Sequence, residues 1–152
     1  GVLTPAVYKM LEKSGLPGMK VLEFAFSGGN NPYLPHLYGE NCVCYTGTHD
    51  NPPVRGWAEA EPDCAARARA YCGAAADMPL SRALIQAGMQ SRARLFIAQM
   101  QDWLDLDSAG RINTPGTTGG GNWTWRLLPG EANSALARQI RAATAAAGRC
   151  SS

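Results

Sequence analysis

Polar and titratable side chains gather behind two short apolar runs in this 152-residue chain. Asn30, Asn31 and His36 follow the first run; Thr46, Thr48, His49, Asp50 and Asn51 follow the second. In parallel α/β folds ligands bind beyond the carboxyl ends of the strands, so both clusters occupy the right place for a site. Asp50 beside His49 can stabilise charge. Glycoside chemistry, however, needs two carboxylates about 5–9.5 Å apart, and nucleophilic hydrolysis needs a nucleophile with a neighbouring base. A lone Asp next to a His satisfies neither. Thr-Gly-Thr-His-Asp-Asn also reads as a turn whose Asp or Asn caps the next helix, and His36, after Pro32-Tyr33-Leu34-Pro35, as a surface histidine on a rigid loop.

Trp123 and Trp125 would face the same way on an extended segment and could stack on sugar rings, although sealing a core is the commoner fate of a tryptophan. The Gly119-Gly120-Gly121 run before them is not a phosphate loop, because no Lys-Ser/Thr pair follows and no helix opens there. Five cysteines, an odd number, include no C-x-x-C pair. Cys42 and Cys44 sit on alternate positions of an apolar run, as reduced packing thiols would. Neither histidine has a cysteine at zinc-finger spacing, so no metal site and no cofactor is expected.

The elements that must carry these residues follow from the pattern. Thr4 reads as an N-cap and Pro5 as a first-turn proline of a short helix with Val7, Tyr8 and Leu11 on one face, stopped by Ser14 to Gly18. Met19 to Phe26 and Asn41 to Thr46 read as buried strands. Val54 to Tyr71 is helical, with Pro62 starting a second helix rather than interrupting one, and Pro79 to Met89 is another helix. Arg92 to Trp103 keeps neither period and is open between strand and helix. Asn113 to Asn122 must be a loop, and Glu131 to Ala147 an Ala-rich helix ended by Gly148. Strand, strand, helix, helix, possible strand, helix is an α/β order suited to parallel neighbours. No internal repeat or linker divides the chain, so residues 1–152 are read as one region with no separate second domain.

Composition narrows the function. Hydrophobic residues make up 45% and charged residues 17%, and 14 Lys and Arg against 12 Asp and Glu leave a net charge of only +2. That balance argues against a nucleic-acid partner. No apolar run reaches the roughly 20 residues of a membrane helix, and the N-terminus lacks a signal-peptide pattern. The expectation is a soluble cytoplasmic protein without a membrane partner. The length is too short for a complete eight-stranded β/α barrel, which needs about 250 residues.

Four blocks in order then carry a resemblance: Leu16-Pro17-Gly18-Met19-Lys20-Val21-Leu22-Glu23-Phe24-Ala25-Phe26, Asn31 to His36, Tyr45 to Asn51, and Arg111 to Thr117 with Gly121-Asn122-Trp123. Together they resemble the 4-α-glucanotransferases, also called amylomaltases or disproportionating enzymes (glycoside hydrolase family 77). The resemblance implies a β/α barrel that moves α-1,4-glucan segments between maltodextrins with retention, through a covalent glycosyl-enzyme. It implies three carboxylates: an Asp nucleophile after strand four, a Glu acid/base after strand five and a stabilising Asp after strand seven. Asp50 matches the third. His49 would hydrogen-bond the transferred glucose, and His36, Phe24, Asn113, Pro115 and Gly116 would line the substrate site.

The segments for the nucleophile and for the Glu-Asp-Leu-Gly-Val acid/base have no match here, and Gly1-Val2 aligns with the end of the latter. The expectation is therefore a C-terminal part of the barrel, strands six (Lys20 to Phe26), seven (Asn41 to Thr46) and eight (within Arg92 to Trp103), inactive alone. Its partners would be α-1,4-glucans such as maltose, maltotriose, starch or glycogen. The alternative is a non-catalytic α-glucan-binding module built on Trp123 and Trp125. Strands cut from a barrel would leave Phe24, Phe26, Val43 and Tyr45 near the exposed surface. Pro52-Pro53 after His-Asp-Asn and a longer glycine run before Asn122 depart from the family pattern.

Overall fold

A computed structural model describes residues 4–29 and 31–150. Helix α1 (Pro5–Ser14) ends where Gly15 takes a left-handed φ of 68° and its N–H bonds to Glu12 O. Thr4 stands at its start in extended geometry, but its side chain makes no cap hydrogen bond, contrary to expectation. Three parallel strands follow in spatial order β1 (Gly18–Val21), β2 (Cys42–Tyr45) and β3 (Leu95–Ile97). Helices α2 (Val54–Ala60), α3 (Pro62–Cys72) and α4 (Leu80–Gln90) form the crossover between β2 and β3. The fold is therefore α/β with a small parallel sheet, as the element order implied.

The first expected strand is shorter than its apolar run. Strand β1 stops at Val21, and Leu22–Phe26 winds into a 3-10 turn. A strand would send Leu22, Phe24 and Phe26 to one face. The three-residue period instead buries Leu22, Ala25 and Phe26 and turns Phe24 outward. An unbroken apolar run does not distinguish these outcomes, because only the period differs. Phe26 is accordingly not at an exposed surface: it packs on Trp57 and Tyr71. Val43 is buried too, while Phe24 is exposed and Tyr45 is half-buried.

The ambiguous stretch 92–103 contains both answers in succession, β3 and then the single-turn helix α5 (Met100–Trp103). A break at Glu61 separates α2 from α3, and Pro62 opens α3 as expected. Helix α6 (Ser134–Ala146) starts later than its composition suggested, because the Asn133 side chain accepts from Ala135 N and Leu136 N and fixes the N-terminus there. Arg149 then ties the tail back, donating to Met89 O, Ser91 O and Ala93 O.

The core lies between the sheet and α2, α3 and α4. Leu22, Phe26, Cys42, Cys44, Val54, Trp57, Leu80 and Leu84 pack there in one cluster. Cys42 and Cys44 are free thiols within it, and burial raises both above the ordinary cysteine range. The opposite sheet face carries the in-register rows Met19–Val43–Leu95 and Val21–Tyr45–Ile97. Met19, Leu95 and Ile97 on it are exposed. Among the described residues no helix is long and apolar enough to cross a membrane.

Candidate active site at the carboxyl end of the sheet

Thr46, the residue after β2, is completely buried. Its hydroxyl donates to Asp102 Oδ2 and accepts from Gln99 N. The other oxygen of Asp102 accepts from Val54 N at 2.7 Å, at the start of α2. One carboxylate from α5 therefore holds both ends of the segment Thr46–Val54. Pro53, buried ahead of α2, has no N–H to satisfy, so Val54 N is the donor that Asp102 must meet.

Between those anchors the chain makes a tight turn. Asn51 N bonds to Thr48 O at 3.0 Å, and Asn51 Oδ1 accepts from Thr48 N and Thr48 Oγ1. His49 and Asp50 are the two central residues and project outward, their side chains about half exposed at 53% and 48%. The candidate residues His49 and Asp50 thus sit on the turn itself. Asn51 closes the turn rather than capping α2, a task that falls to Asp102.

A second segment supports the turn from outside. Asn113 N bonds to His49 O at 3.1 Å, and Asn113 Nδ2 donates to Asp50 Oδ1 at 2.7 Å. Arg111 donates from Nη2 to Asp50 O and from Nε to Asn113 O, at 2.6 and 2.8 Å, locking the two segments together. His49 Nε2 lies 3.3 Å from Asp50 Oδ1. Thr114–Thr117 is a turn with Pro115 and Gly116 at its centre, Gly116 at φ 73°, as Thr-Pro-Gly-Thr favours. The Asn122 side chain clasps it, accepting from Thr114 N and donating to Thr117 O and Oγ1.

Trp123 completes the rim. Its ring lies 5.0 Å from that of His49, its N–H bonds to Ile112 O, and its φ of 63° is rare for a bulky residue. The two tryptophans are therefore not on an extended segment: Trp123 is exposed beside His49, and Trp125 is half-buried.

Asp50, His49 and Asn113 come together, with Pro115 and Gly116 on the same loop. Phe24 stands at the same end of the sheet, but its ring packs edge-on against Tyr33 at 5.7 Å. His36 does not join them. Its ring stacks on Tyr71, its Nδ1 is 3.0 Å from Tyr71 Oη, and it lines a groove with Gln86, Gln90 and Arg92 between α3, α4 and the entry to β3. Asn31 instead ties its own loop, donating to Phe24 O. Asn30 lies outside the described residues.

Beneath the turn are two carboxyls that sequence reasoning gave no role. Glu23 is 4% exposed, and burial first, then the neighbouring Asp102 charge, push its pKa up to about 9; Asn51 and Arg111 pull the other way. Burial likewise raises Asp102, opposed by its bonds from Thr46 and Val54. Neither buried group serves as an accessible nucleophile. Asp50, by contrast, is a half-exposed carboxylate.

The family model for 4-α-glucanotransferase matches residues 1–131. The chain belongs to the 4-α-glucanotransferase family. It is 40% identical over 153 residues to the Clostridium butyricum 4-α-glucanotransferase, covering 99% of this chain and 31% of that protein. It is 44% identical over 151 residues to the Thermus thermophilus 4-α-glucanotransferase, covering 93% and 30% respectively. An amylomaltase from Streptococcus agalactiae, solved with acarbose, superposes with a TM-score of 0.93 at 31% identity over 99% of this chain and 31% of that one. The chain thus spans about a third of the length of these glucanotransferases.

Proposed function

We propose that this segment supplies the transition-state-stabilising wall of a retaining 4-α-glucanotransferase that moves α-1,4-glucan units between maltodextrins in the cytoplasm. The observation that carries it is Asp50: a half-exposed carboxylate at the carboxyl end of a parallel sheet, oriented by Asn113 Nδ2 and flanked by His49. The three strands correspond to strands six to eight of a β/α barrel. Asp50 would face the sugar ring as it becomes oxocarbenium-like, His49 would bond a hydroxyl of the transferred glucose, and Asn113, Pro115, Gly116 and Phe24 would form walls. Charge aimed at where charge develops is the most effective stabilisation a site offers.

The reaction also needs a nucleophilic carboxylate and an acid/base about 5–5.5 Å apart. Among the described residues the other carboxyls beneath this turn, Glu23 and Asp102, are buried. Nucleophile and acid/base must come from other parts of the enzyme, and the 152-residue chain alone is inactive. A full-length glucanotransferase carrying residues 1–152, made by replacing the matching segment of the Thermus thermophilus relative, tests this with maltotriose. Wild-type product is glucose plus longer maltodextrins, and Asp50→Asn should abolish it. Full activity in Asp50→Asn, or transfer by the isolated chain, overturns the assignment. Exposed Trp123 beside His49 supports a second reading as a glucan-binding module; saturable quenching of tryptophan fluorescence by maltoheptaose in the isolated chain would favour it.

A further inference from the structure

Glu23 is not accounted for by substrate contact. It leaves the end of β1 and runs under the turn that carries His49 and Asp50, with neither carboxyl oxygen hydrogen-bonded. The side-chain amide of Gln99, from the segment between β3 and α5, is buried nearby, and its Nε2 has no partner either. The two meet at Gly47. A Cβ there would lie 2.7 Å from Glu23 Oε1, 2.8 Å from Gln99 Nε2 and 3.2 Å from Asn51 Cβ. A buried polar group without a partner costs stability, so it persists where the surrounding structure has a use for it.

We propose that Glu23 is a positioning residue for the glucosyl-transfer site: as a neutral acid wedged with Gln99 against Gly47, it fixes the turn from which His49 and Asp50 project. This rests on the functional reading above. The groups facing Glu23 are Asp102 on α5, Arg111 below the Asn113 segment, Asn51 in the turn and the Gln99 amide. Two buried carboxyls this close do not both ionise readily. Asp102 accepts from Thr46 and Val54, which favour its anion; Glu23 has only the Asn51 side chain and the Arg111 charge to set against its burial, so the proton resides on Glu23. A protonated carboxyl offers one donor and one acceptor, and a Gln side chain reproduces that pattern without a titrating proton. Arg111 couples the two levels, since the guanidinium that acts on Glu23 also holds Asp50 O and Asn113 O.

The test uses the full-length glucanotransferase carrying this segment, with Glu23→Gln and Glu23→Leu. Glu23→Gln should keep kcat near wild type at neutral pH and hold it where the wild type loses rate, as pH rises through about 9. Glu23→Leu, of similar size but without polar atoms, should lower kcat by up to a hundredfold, on the order expected for a misplacement near 1 Å, with little change in KM. Equal activity of the Leu and Gln variants, or the same alkaline limb in wild type and Glu23→Gln, overturns the proposal. Infrared difference spectra of wild type and Glu23→Gln at neutral pH should contain one protonated-carboxyl band, and its absence refutes the neutral acid. Where a variant fails to fold, carboxyl-carbon NMR titration of the Glu-labelled wild type decides the same point. A wild type without glucan transfer would sink the functional reading, while the two spectroscopic measurements still judge the protonation state.

Discussion

Asp102→Ala should open the whole Thr46–Val54 segment, because that one carboxylate closes both of its ends. Thr46 and Val54 are fully buried, and Asp102 itself is 2% exposed, so neither donor finds water when the carboxylate goes. A stranded buried donor costs about 1–3 kcal/mol, which for two donors sets a ceiling near 6 kcal/mol. Burying the Asp102 charge is itself unfavourable, as its raised pKa records, and removing it returns part of that loss. The expected net destabilisation is about 2–4 kcal/mol. Asp102→Asn keeps an acceptor for Val54 N and places an amide donor toward Thr46 Oγ1, so it should cost about 1 kcal/mol. Urea unfolding of the full-length glucanotransferase carrying this segment gives the energies. Hydrogen exchange at the Val54 amide localises them: protection there should collapse in Asp102→Ala and persist in Asp102→Asn. A Thr46→Val/Asp102→Ala double-mutant cycle should return a coupling of about 1–2 kcal/mol. If Asp102→Ala unfolds within about 0.5 kcal/mol of wild type, or Val54 protection is unchanged, the clasp does not carry the segment.

Other perturbations separate the site from the scaffold. Gly47→Ala should cut transfer activity sharply while leaving the far-UV circular dichroism intact, because its methyl would press on Glu23 Oε1 and Gln99 Nε2 directly under the turn. Gly88→Ala should destabilise by about 1–3 kcal/mol in urea unfolding, since its Cβ would stand 2.2 Å from Phe96 Cε2 where α4 crosses β3. Glu23 carries a pH signature. Burial pushes its pKa in the fold up to about 9, well above the ordinary carboxylate range near 4.5, so the folded state binds the extra proton between those values and stability falls as pH rises through that window. The slope contributed is at most about 1.4 kcal/mol per pH unit, and Glu23→Gln should flatten it in unfolding curves taken at several pH values.

Much of this architecture was legible from local signals. Pro5, Pro62 and Gly15 punctuate helices by restricting or freeing φ, and the Asn41–Thr46 run closely brackets the strand it forms. The Thr-Pro-Gly-Thr turn follows from the same chemistry. Leu22–Phe26 hides its 3-10 turn in the sequence because every residue but Glu23 is apolar, leaving too few polar positions to reveal the period. Residues 92–103 were ambiguous because a three-residue strand and a one-turn helix share that short stretch. In the site, Asp50 and His49 stood out as adjacent functional groups, but their support did not. Asn113 and Arg111 reach them across more than 60 positions, and Asp102 reaches Thr46 across 56. Only the tertiary fold brings such partners together. His36 shows the converse: its motif lies close to the site in sequence, yet the path into β2 carries it to Tyr71 on the helical side.

The way Arg111 is used bears on why Asp50 suits the proposed reaction. An arginine paired with the Asp50 carboxylate would neutralise the charge that a developing oxocarbenium ion needs to meet. Arg111 instead spends its donors on the backbone oxygens of Asp50 and Asn113, fixing the position of the carboxylate without touching it. The one bond from the loop to the carboxylate comes from the neutral amide of Asn113. Orientation by an amide and anchoring through the backbone leave the negative charge available on the half-exposed side. Exchanging these roles, with a cation on the carboxylate and an amide on the backbone, would hold the same geometry with less catalytic power. On that argument, Asn113→Lys should preserve the turn and still depress transfer.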